Sequence, residues 1–532
     1  MNSSEEQRLC PTIMVQGTAS DVGKSLLVTA LCRILTNDGY KVAPFKSQNM
    51  SLNSFVTPDG KEIGRAQAVQ ADACRVPATT DMNPILLKPT GERRSQVVLH
   101  GKPLRDYDAV EYRERYLPTA ERYVREALHR LRSAHDIVVM EGAGSPAEVN
   151  LRDRDIVNMR AAAWADAPVL LVADIDRGGV FASIVGTMAI LRPEERARVK
   201  GFIINKFRGD PSLLTSGLEW LEAETGKPVL GVVPVLPNVG LEDEDSASLD
   251  AKRGFGRKDG AALDIAVLRL PRMSNFTDVD ALAGEPDAAV RFISRLEEWG
   301  EPDAIIIPGT KNTLLDLAAL RERGLDNRLL RYAREGGRVV GICGGYQMLG
   351  LTLDDPDGFE SSESTVRRMD GLGLLPMETV YTAEKRTERV RGSFLGWTGG
   401  GVEAVGAEAG AGAEASAETG ATLPAEGYEI HMGRTTFRDP VRPLFRFETE
   451  AGPLHDGAAT ADGRVWGTYL HGVFDNDELR RAWLNALRAD KGLPALEIDY
   501  RHRERREAAF ERLAAHVRAH VNLPAIYEII GL

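Results

Sequence analysis

Unbroken apolar runs recur along this chain, each stopped by glycine or a polar residue and followed by a stretch of helical character. TIMVQG (Thr12–Gly17) leads through TASDVGKS into LLVTALCRILTNDG. HDIVVMEGAGSPAEVN, residues 135–150, carries a buried-strand pattern that ends in Glu141-Gly142-Ala143-Gly144. APVLLVADIDRGGVFASIVGTMAIL adds a strand and a helix, and KGFIINKFRGD and KPVLGVVPVLP add further strands. Runs without polar alternation belong to strands covered on both faces, and strands alternating with helices at this spacing predict a doubly wound parallel sheet. KVAPFKSQNMSLNS, residues 41–54, reads as a second strand running into a polar loop.

The pattern then breaks and restarts. Residues 236–261, LPNVGLEDEDSASLDAKRGFGRKDGA, turn acidic, then basic and Gly-rich, which marks a linker over 241–261. Beyond it DIAVLRL, DAIIIPGT and RVVGIC read as strands, and DLAALRERG and YQMLGL as helices. The expected organisation is therefore one domain over 1–240, a second over 262–480, and a helical tail over 481–532. RHRERREAAFERLAAHVRAHV in that tail is amphipathic and is expected to pack on the second domain. Residues 397–426 are a low-complexity Ala/Gly/Glu insertion too poor in apolar surface to order itself.

Composition narrows the class. At 532 residues, 43% hydrophobic and 27% charged, the chain has material for two or three cores. A net charge of −12 argues against general nucleic-acid binding, and no apolar run approaches the roughly 20 residues that span a membrane. The first residues, MNSSEEQRLCPT, are polar and acidic and do not read as a signal peptide. Four cysteines without metal-like spacing fit free thiols in a reducing cytoplasm.

Two stretches carry chemistry. In the first, a strand, a loop with Lys-Ser and a helix form the phosphate-binding arrangement, in which backbone N–H groups and the helix dipole hold anions. Gly17, Thr18, Asp21, Gly23, Lys24 and Ser25 are its candidate residues, with Lys24 on the outer phosphates and the Ser25 hydroxyl on Mg²⁺. The usual spacing would place a glycine at Thr18, whereas here Gly17 stands one residue further back. Glu141 ends a strand opposite the loop and is the second Mg²⁺ candidate, an exposed strand-end Glu being the plain alternative. Asp174 and Asp176, at another strand end, either reach the metal through water or cap their loop.

In the second stretch, Gly341-Ile342-Cys343-Gly344-Gly345 puts a cysteine on a strand-to-helix turn. Glycines allow the sharp turn of a nucleophile elbow, the helix N-terminus lowers the thiol from its free value of roughly 8.5, and the Gly344 N–H faces a developing oxyanion. A buried structural cysteine is the alternative. Such a nucleophile needs a base from elsewhere in the fold, and His471 in RVWGTYLHGVFDND supplies a candidate. For His431, in GYEIHMGRT, the reading is a structural strand histidine.

Cys343 and His471 together resemble class I glutamine amidotransferases, which release ammonia from glutamine through a cysteinyl thioester. That family usually carries an acid two residues after the His, where this chain has Val473, so the group that orients His471 stays unassigned. Gly309, in Ile307-Pro308-Gly309-Thr310, stands where the family places its second oxyanion donor. The longer phosphate loop resembles dethiobiotin synthetase and its relatives, and Asn205 resembles the base-reading Asn of that group. FKSQNMSLNS, GRAQAVQA, MNPILLKP and RLPRMSNFTDVDAL are similar to segments of the cobyric acid synthase family. That likeness implies a dethiobiotin synthetase-like P-loop α/β domain followed by a class I amidotransferase α/β domain. It also implies that Lys46, Gln48, Asn49, Arg65, Gln67, Lys88 and Arg94 face a nucleotide and substrate cleft.

The activity implied is amidation of the b, d, e and g carboxylates of adenosylcobyrinic acid a,c-diamide, a corrinoid, with ATP, Mg²⁺ and glutamine as ammonia donor. Cytoplasmic residence, no nucleic-acid or membrane partner, and compatibility with a homo-oligomer complete the expectation. The rivals are a cobyrinic acid a,c-diamide synthase-type amidase, the lipid II amidase of the same group, and a P-loop ATPase switch without amidation. Cys343 and His471 weigh against the switch.

Overall fold

Thr12–Gly17, Ile137–Glu141 and Val169–Asp174 are buried along their whole length, which accounts for the missing polar alternation. In the computed structural model they are the middle of a six-stranded sheet. Its order is Val229–Pro234, Val199–Phe207, Val169–Asp174, Thr12–Gly17, Ile137–Glu141, Val42–Phe45, with all neighbours parallel. Residues 9–90, 94–108, 111–112, 117–242, 258, 260–360, 365–397, 422–449 and 452–532 are described. They fall into two units, the first comprising Met1–Ser51, Lys61–Glu244 and Arg506–Leu532, the second Leu52–Gly60 and Asp245–Arg505.

Two features of the first unit depart from the sequence reading. The polar stretch after Val42–Phe45 is not a plain loop: Gln48–Met50, Ile85–Pro89, Arg94–Leu99 and Lys102–Asp108 form a four-stranded sheet. The C-terminal helices belong here rather than on the second unit. Phe510, Leu513, Ala514 and Val517 recur at helical spacing along His502–His520 and join the core of Ile13, Val15, Leu31 and Val172. Charge fixes the same docking, because the fully buried Arg33 side chain pairs with Glu507 and Glu511 at 3.1 and 3.2 Å.

The second unit has its own parallel sheet in the order Ala288–Ile293, Leu263–Leu268, Ala304–Ile307, Arg338–Ile342, Val465–Thr468, with Ala458–Ala459 antiparallel at its edge. A further sheet, unforeseen in the sequence, is built on the long hairpin Met377–Phe394 and Leu423–Phe437. Residues 423–426, assigned above to the insertion, are strand and pair with Arg391–Phe394. The rest of that insertion from 398 to 421, and 243–257 of the linker, lie outside the described residues.

A buried charge network holds the end of this unit. Arg480, with no exposed surface, binds Glu285 at 2.7 Å and the carbonyls of Phe474 and Tyr500 at 2.7 and 2.6 Å. Arg481 pairs with Glu285 and Asp287. Glu285→Ala would leave two guanidinium groups buried beside a cavity and should destabilise the unit by roughly 3–5 kcal/mol. Urea unfolding midpoints measure this, and a loss below about 1 kcal/mol would mean that water reaches the network.

Candidate active sites

Arg338–Ile342 pairs with Ala304–Ile307 on one side and Val465–Thr468 on the other. Three neighbouring strand ends therefore deliver Cys343, Gly309 and His471 to the carboxyl edge of the sheet, where open α/β folds place their ligands. Cys343 adopts φ 51° and ψ −108°, a left-handed backbone costing a non-glycine residue on the order of 1–3 kcal/mol. Space dictates the glycines around it. A Cβ at Gly345 would sit 2.0 Å from the Ile307 carbonyl oxygen, and one at Gly341 2.7 Å from that of Gly345. At Gly344 it would sit 2.7 Å from Thr310 Cγ2.

Backbone bonds lock the turn: Cys343 N–H donates to Thr468 O at 2.8 Å, and Gln347 N–H donates to Cys343 O at 3.0 Å. The thiol lies 3.7 Å from the Ile430 carbonyl. Gly309 adjoins the base, since a Cβ there would approach His471 Cε1 to 3.2 Å.

The acid missing at Val473 comes from elsewhere. Asp278, in the short turn Phe276–Val279, places Oδ2 2.7 Å from His471 Nδ1, and its Oδ1 accepts the Gly472 N–H at 2.9 Å. A carboxylate only accepts, so Nδ1 carries the hydrogen, and Nε2 is left on the side of Cys343, with Asn275 Nδ2 3.3 Å from it. Burial alone would lower the proton affinity of His471, but the charges of Asp278 and Cys343 outweigh it and lift the pKa to about 10. Nothing in the spacing identifies Asp278, because it precedes His471 by 193 residues. Its segment, RMSNFTDVDAL, stands out only by family likeness.

In the first unit the phosphate loop closes around its glycines. Gly23 has φ 94°, and a Cβ there would lie 2.2 Å from Asn205 Nδ2. At Gly17 a Cβ would meet Val22 at 2.6 Å, which explains why Thr18 can stand where the shorter loop has its glycine. Thr18 N–H donates to Val172 O at 2.9 Å, and Asp21 takes a left-handed φ of 57°. The Lys24 ammonium lies across the loop, donating to Ala19 O at 2.9 Å and Gly144 O at 3.1 Å.

The Ser25 hydroxyl donates to Glu141 Oε1 at 2.9 Å, so the two oxygen candidates do meet. Glu141 also takes Lys46 at 2.9 Å and the amide of Gln70. Asn205 donates its amide to Val22 O at 2.9 Å and so braces the loop. Asp174 caps its own turn through Asp176 N–H and pairs with Lys206 at 2.9 Å, and Asp176 pairs with Arg208.

Three of the other polar candidates are tied to neighbouring side chains. Asn49 donates to Gln67 at 3.1 Å, Tyr112 donates to Gln48, and Lys88 pairs with Glu62 at 2.6 Å, both side chains at most 7% exposed. Arg65 opens the helix Arg65–Ala73 that carries Gln67 and Gln70, and Arg94 opens the next strand but one. His431 Nδ1 donates to Gly433 O at 2.9 Å, and its ring stacks on Tyr469 at 3.7 Å.

Residues 13–248 match the CobQ/CobB/MinD/ParA nucleotide binding domain, and residues 264–479 match the CobB/CobQ-like glutamine amidotransferase domain. The class is thus an amidotransferase enzyme with a nucleotide-binding domain in the same chain. Cobyric acid synthase of Desulforamulus reducens is 49% identical over 98% of this chain and 99% of its own length. Those of Sorangium cellulosum and Dehalococcoides mccartyi are 52% and 51% identical, each over 98% of this chain and 99% and 98% of their own lengths. The chain belongs to the cobyric acid synthase family. Among the described residues no helix is long and apolar enough to cross a membrane.

The raised His471 predicts a pH dependence with a definite sign. Its imidazolium form stabilises the fold fully below the unfolded value of about 6.5, and that contribution is lost as pH rises through about 10. Glutamine hydrolysis that needs this proton should fall on the same alkaline limb. Asp278→Asn turns an amide donor toward Nδ1, so the rate should drop roughly 10²-fold and the limb should move to lower pH. A pH–rate profile with the limb unmoved would show that Asp278 does not set the proton affinity.

Proposed function

We propose that this chain makes primary amides from the b, d, e and g carboxylates of adenosylcobyrinic acid a,c-diamide, with ATP and glutamine. The observation that carries the reading is one chain holding both a phosphate loop with Ser25 on Glu141 and a Cys343–His471–Asp278 constellation. The names of its relatives supply the product, cobyric acid.

A carboxylate resists amines because its charge repels nucleophiles and oxide leaves badly. Transfer of the ATP γ-phosphoryl group makes an acyl phosphate, and ammonia then displaces inorganic phosphate from it. Phosphoryl transfer demands positioning and charge neutralisation rather than covalent help from the protein. Gly17, Thr18, Asp21 and Gly23 shape the loop that receives the phosphates, Asn205 braces it, and Lys24 carries the positive charge. The Ser25 hydroxyl and the Glu141 carboxylate, 2.9 Å apart, are hard oxygen donors that would hold Mg²⁺, and the ion would supply charge neutralisation for phosphoryl transfer. Gln48, Asn49, Arg65 and Lys88 support the corrinoid side of this unit through Gln67, Tyr112 and Glu62.

Ammonia comes from glutamine. The Cys343 thiolate attacks the side-chain amide carbon, and the N–H groups of Gly344 and Gly309 receive the oxyanion. The His471 imidazolium gives its proton to the departing ammonia, then takes one from the water that hydrolyses the thioester to glutamate. Asp278 keeps the ring in the tautomer this needs. The enzyme acts on small molecules, in the cytoplasm, and a homo-oligomer is compatible with this reading.

Mass spectrometry of corrinoid products formed with ATP and glutamine should show four successive carboxylate-to-amide steps. Two variants separate the sites. Cys343→Ala removes the atom that carries the glutamyl group, so glutamine becomes useless while high ammonium at alkaline pH restores amidation. Lys24→Ala should lower amidation at least about 10²-fold with either nitrogen source. Normal turnover of glutamine by Cys343→Ala would falsify the ammonia-source assignment.

A further inference from the structure

Residues Leu52–Gly60 lie in the second unit, although the chain on both sides of them, Ser51 and Lys61, belongs to the first. This short strap makes unusual contacts. The Ser54 N–H donates to Asn275 Oδ1 at 2.9 Å, and Ser54 O accepts from the Tyr428 hydroxyl at 3.3 Å. Asn275 and Tyr428 both touch His471. Asn275 Nδ2 lies 3.3 Å from Nε2, and the Tyr428 ring stacks on the imidazole at 5.1 Å and 18°. Two more contacts seat the strap: Asn53 Oδ1 accepts the Phe276 N–H at 3.3 Å, and Val56 packs in a buried cluster with Tyr428 and Ile430. Ile430 is the residue whose carbonyl faces the Cys343 thiol.

The orientation of Asn275 follows from these bonds. With Oδ1 held by a backbone N–H, the side-chain NH₂ must face the ring. An amide N–H can bond Nε2 only when that nitrogen carries no proton, so a donor placed there works against the imidazolium. Asp278 and Cys343, the titratable groups facing His471, favour a proton on the ring, and the Asn275 amide opposes them. We propose that Asn275, aimed by the main chain of Ser54, is a positioning residue that disfavours the Nε2 proton through which His471 serves Cys343 and the leaving ammonia. The seating of the Leu52–Gly60 strap thereby sets the rate of glutamine hydrolysis. The proposal rests on Cys343 and His471 being the glutaminase centre.

The test is glutamine hydrolysis by the full chain in the absence of ATP and corrinoid, set beside amide formed per glutamine consumed in the complete reaction. Asn275 has a left-handed φ of 50°, so Asn275→Gly removes the amide without adding backbone strain. Asn275→Asp keeps the acceptor for Ser54 and puts a carboxylate oxygen, which itself favours the ring proton, in place of the donor. Both variants should raise idle hydrolysis roughly three- to tenfold, the worth of one hydrogen bond, and lower the yield of amide per glutamine. A residue that merely supports the fold would lower both quantities. Idle hydrolysis unchanged or reduced in either variant overturns the proposal. Cys343→Ala run in parallel tells the two levels apart: hydrolysis that survives there removes the underlying centre, and inert Cys343→Ala beside an unmoved Asn275→Gly removes the strap's role alone.

Discussion

The second unit is arranged around one uncomfortable backbone conformation. Cys343 has φ 51° and ψ −108°, which the chain tolerates only because its neighbours leave it no alternative. Its N–H is tied to the strand carrying His471, and its carbonyl starts the following helix. Gly345 packs so tightly on Ile307 that no side chain fits. The strain thus links three strands, and each of them ends in a residue assigned to the chemistry. A looser turn would relieve Cys343 and at the same time withdraw the thiol from His471. Rigidity here is what lets a small set of atoms meet without reorganisation.

Buried charge is handled by the same device in both units, a hub satisfied on several sides. Glu141, 1% exposed, is met by Lys46, Ser25 and Gln70. Asp278, 3% exposed, is met by His471 and the Gly472 N–H. An isolated carboxylate at such depth would take up a proton or cost several kcal/mol, roughly. Multiple donors satisfy its oxygens and leave its direction fixed. For Glu141 that means an oxygen held beside the phosphate loop, and for Asp278 a fixed imidazole orientation.

The parallel strands were legible because burial on both faces erases polar alternation, and Thr12–Gly17 and Arg338–Ile342 have the bounds their apolar runs suggest. Cys343, His471 and the loop around Lys24 were legible because glycine spacing and strand ends constrain few residue types. Asp278 was not, since long-range pairing leaves no periodic trace in the sequence. The hairpin of Met377–Phe394 with Leu423–Phe437 was hidden for a related reason: its half-buried, charged strands look like loop until their partners are known. The C-terminal helix showed an amphipathic face but not its destination. That face matches the first core in apolar spacing and in the carboxylates offered to Arg33.

FKSQNMSLNS shows how much one polar run can hold. Its early part includes Lys46, which pairs with Glu141, and Asn49, which binds Gln67. Its late part includes Asn53 and Ser54, which bind Phe276, Asn275 and Tyr428. Propensity would assign such a stretch to solvent, yet Lys46, Asn49, Asn53 and Ser54 are all at most 4% exposed. Burying that many polar groups is costly unless each finds a partner, so the sequence is constrained at nearly every position by a different neighbour. Covalent continuity then joins residues that hold a phosphate-side carboxylate to residues that hold the partners of His471.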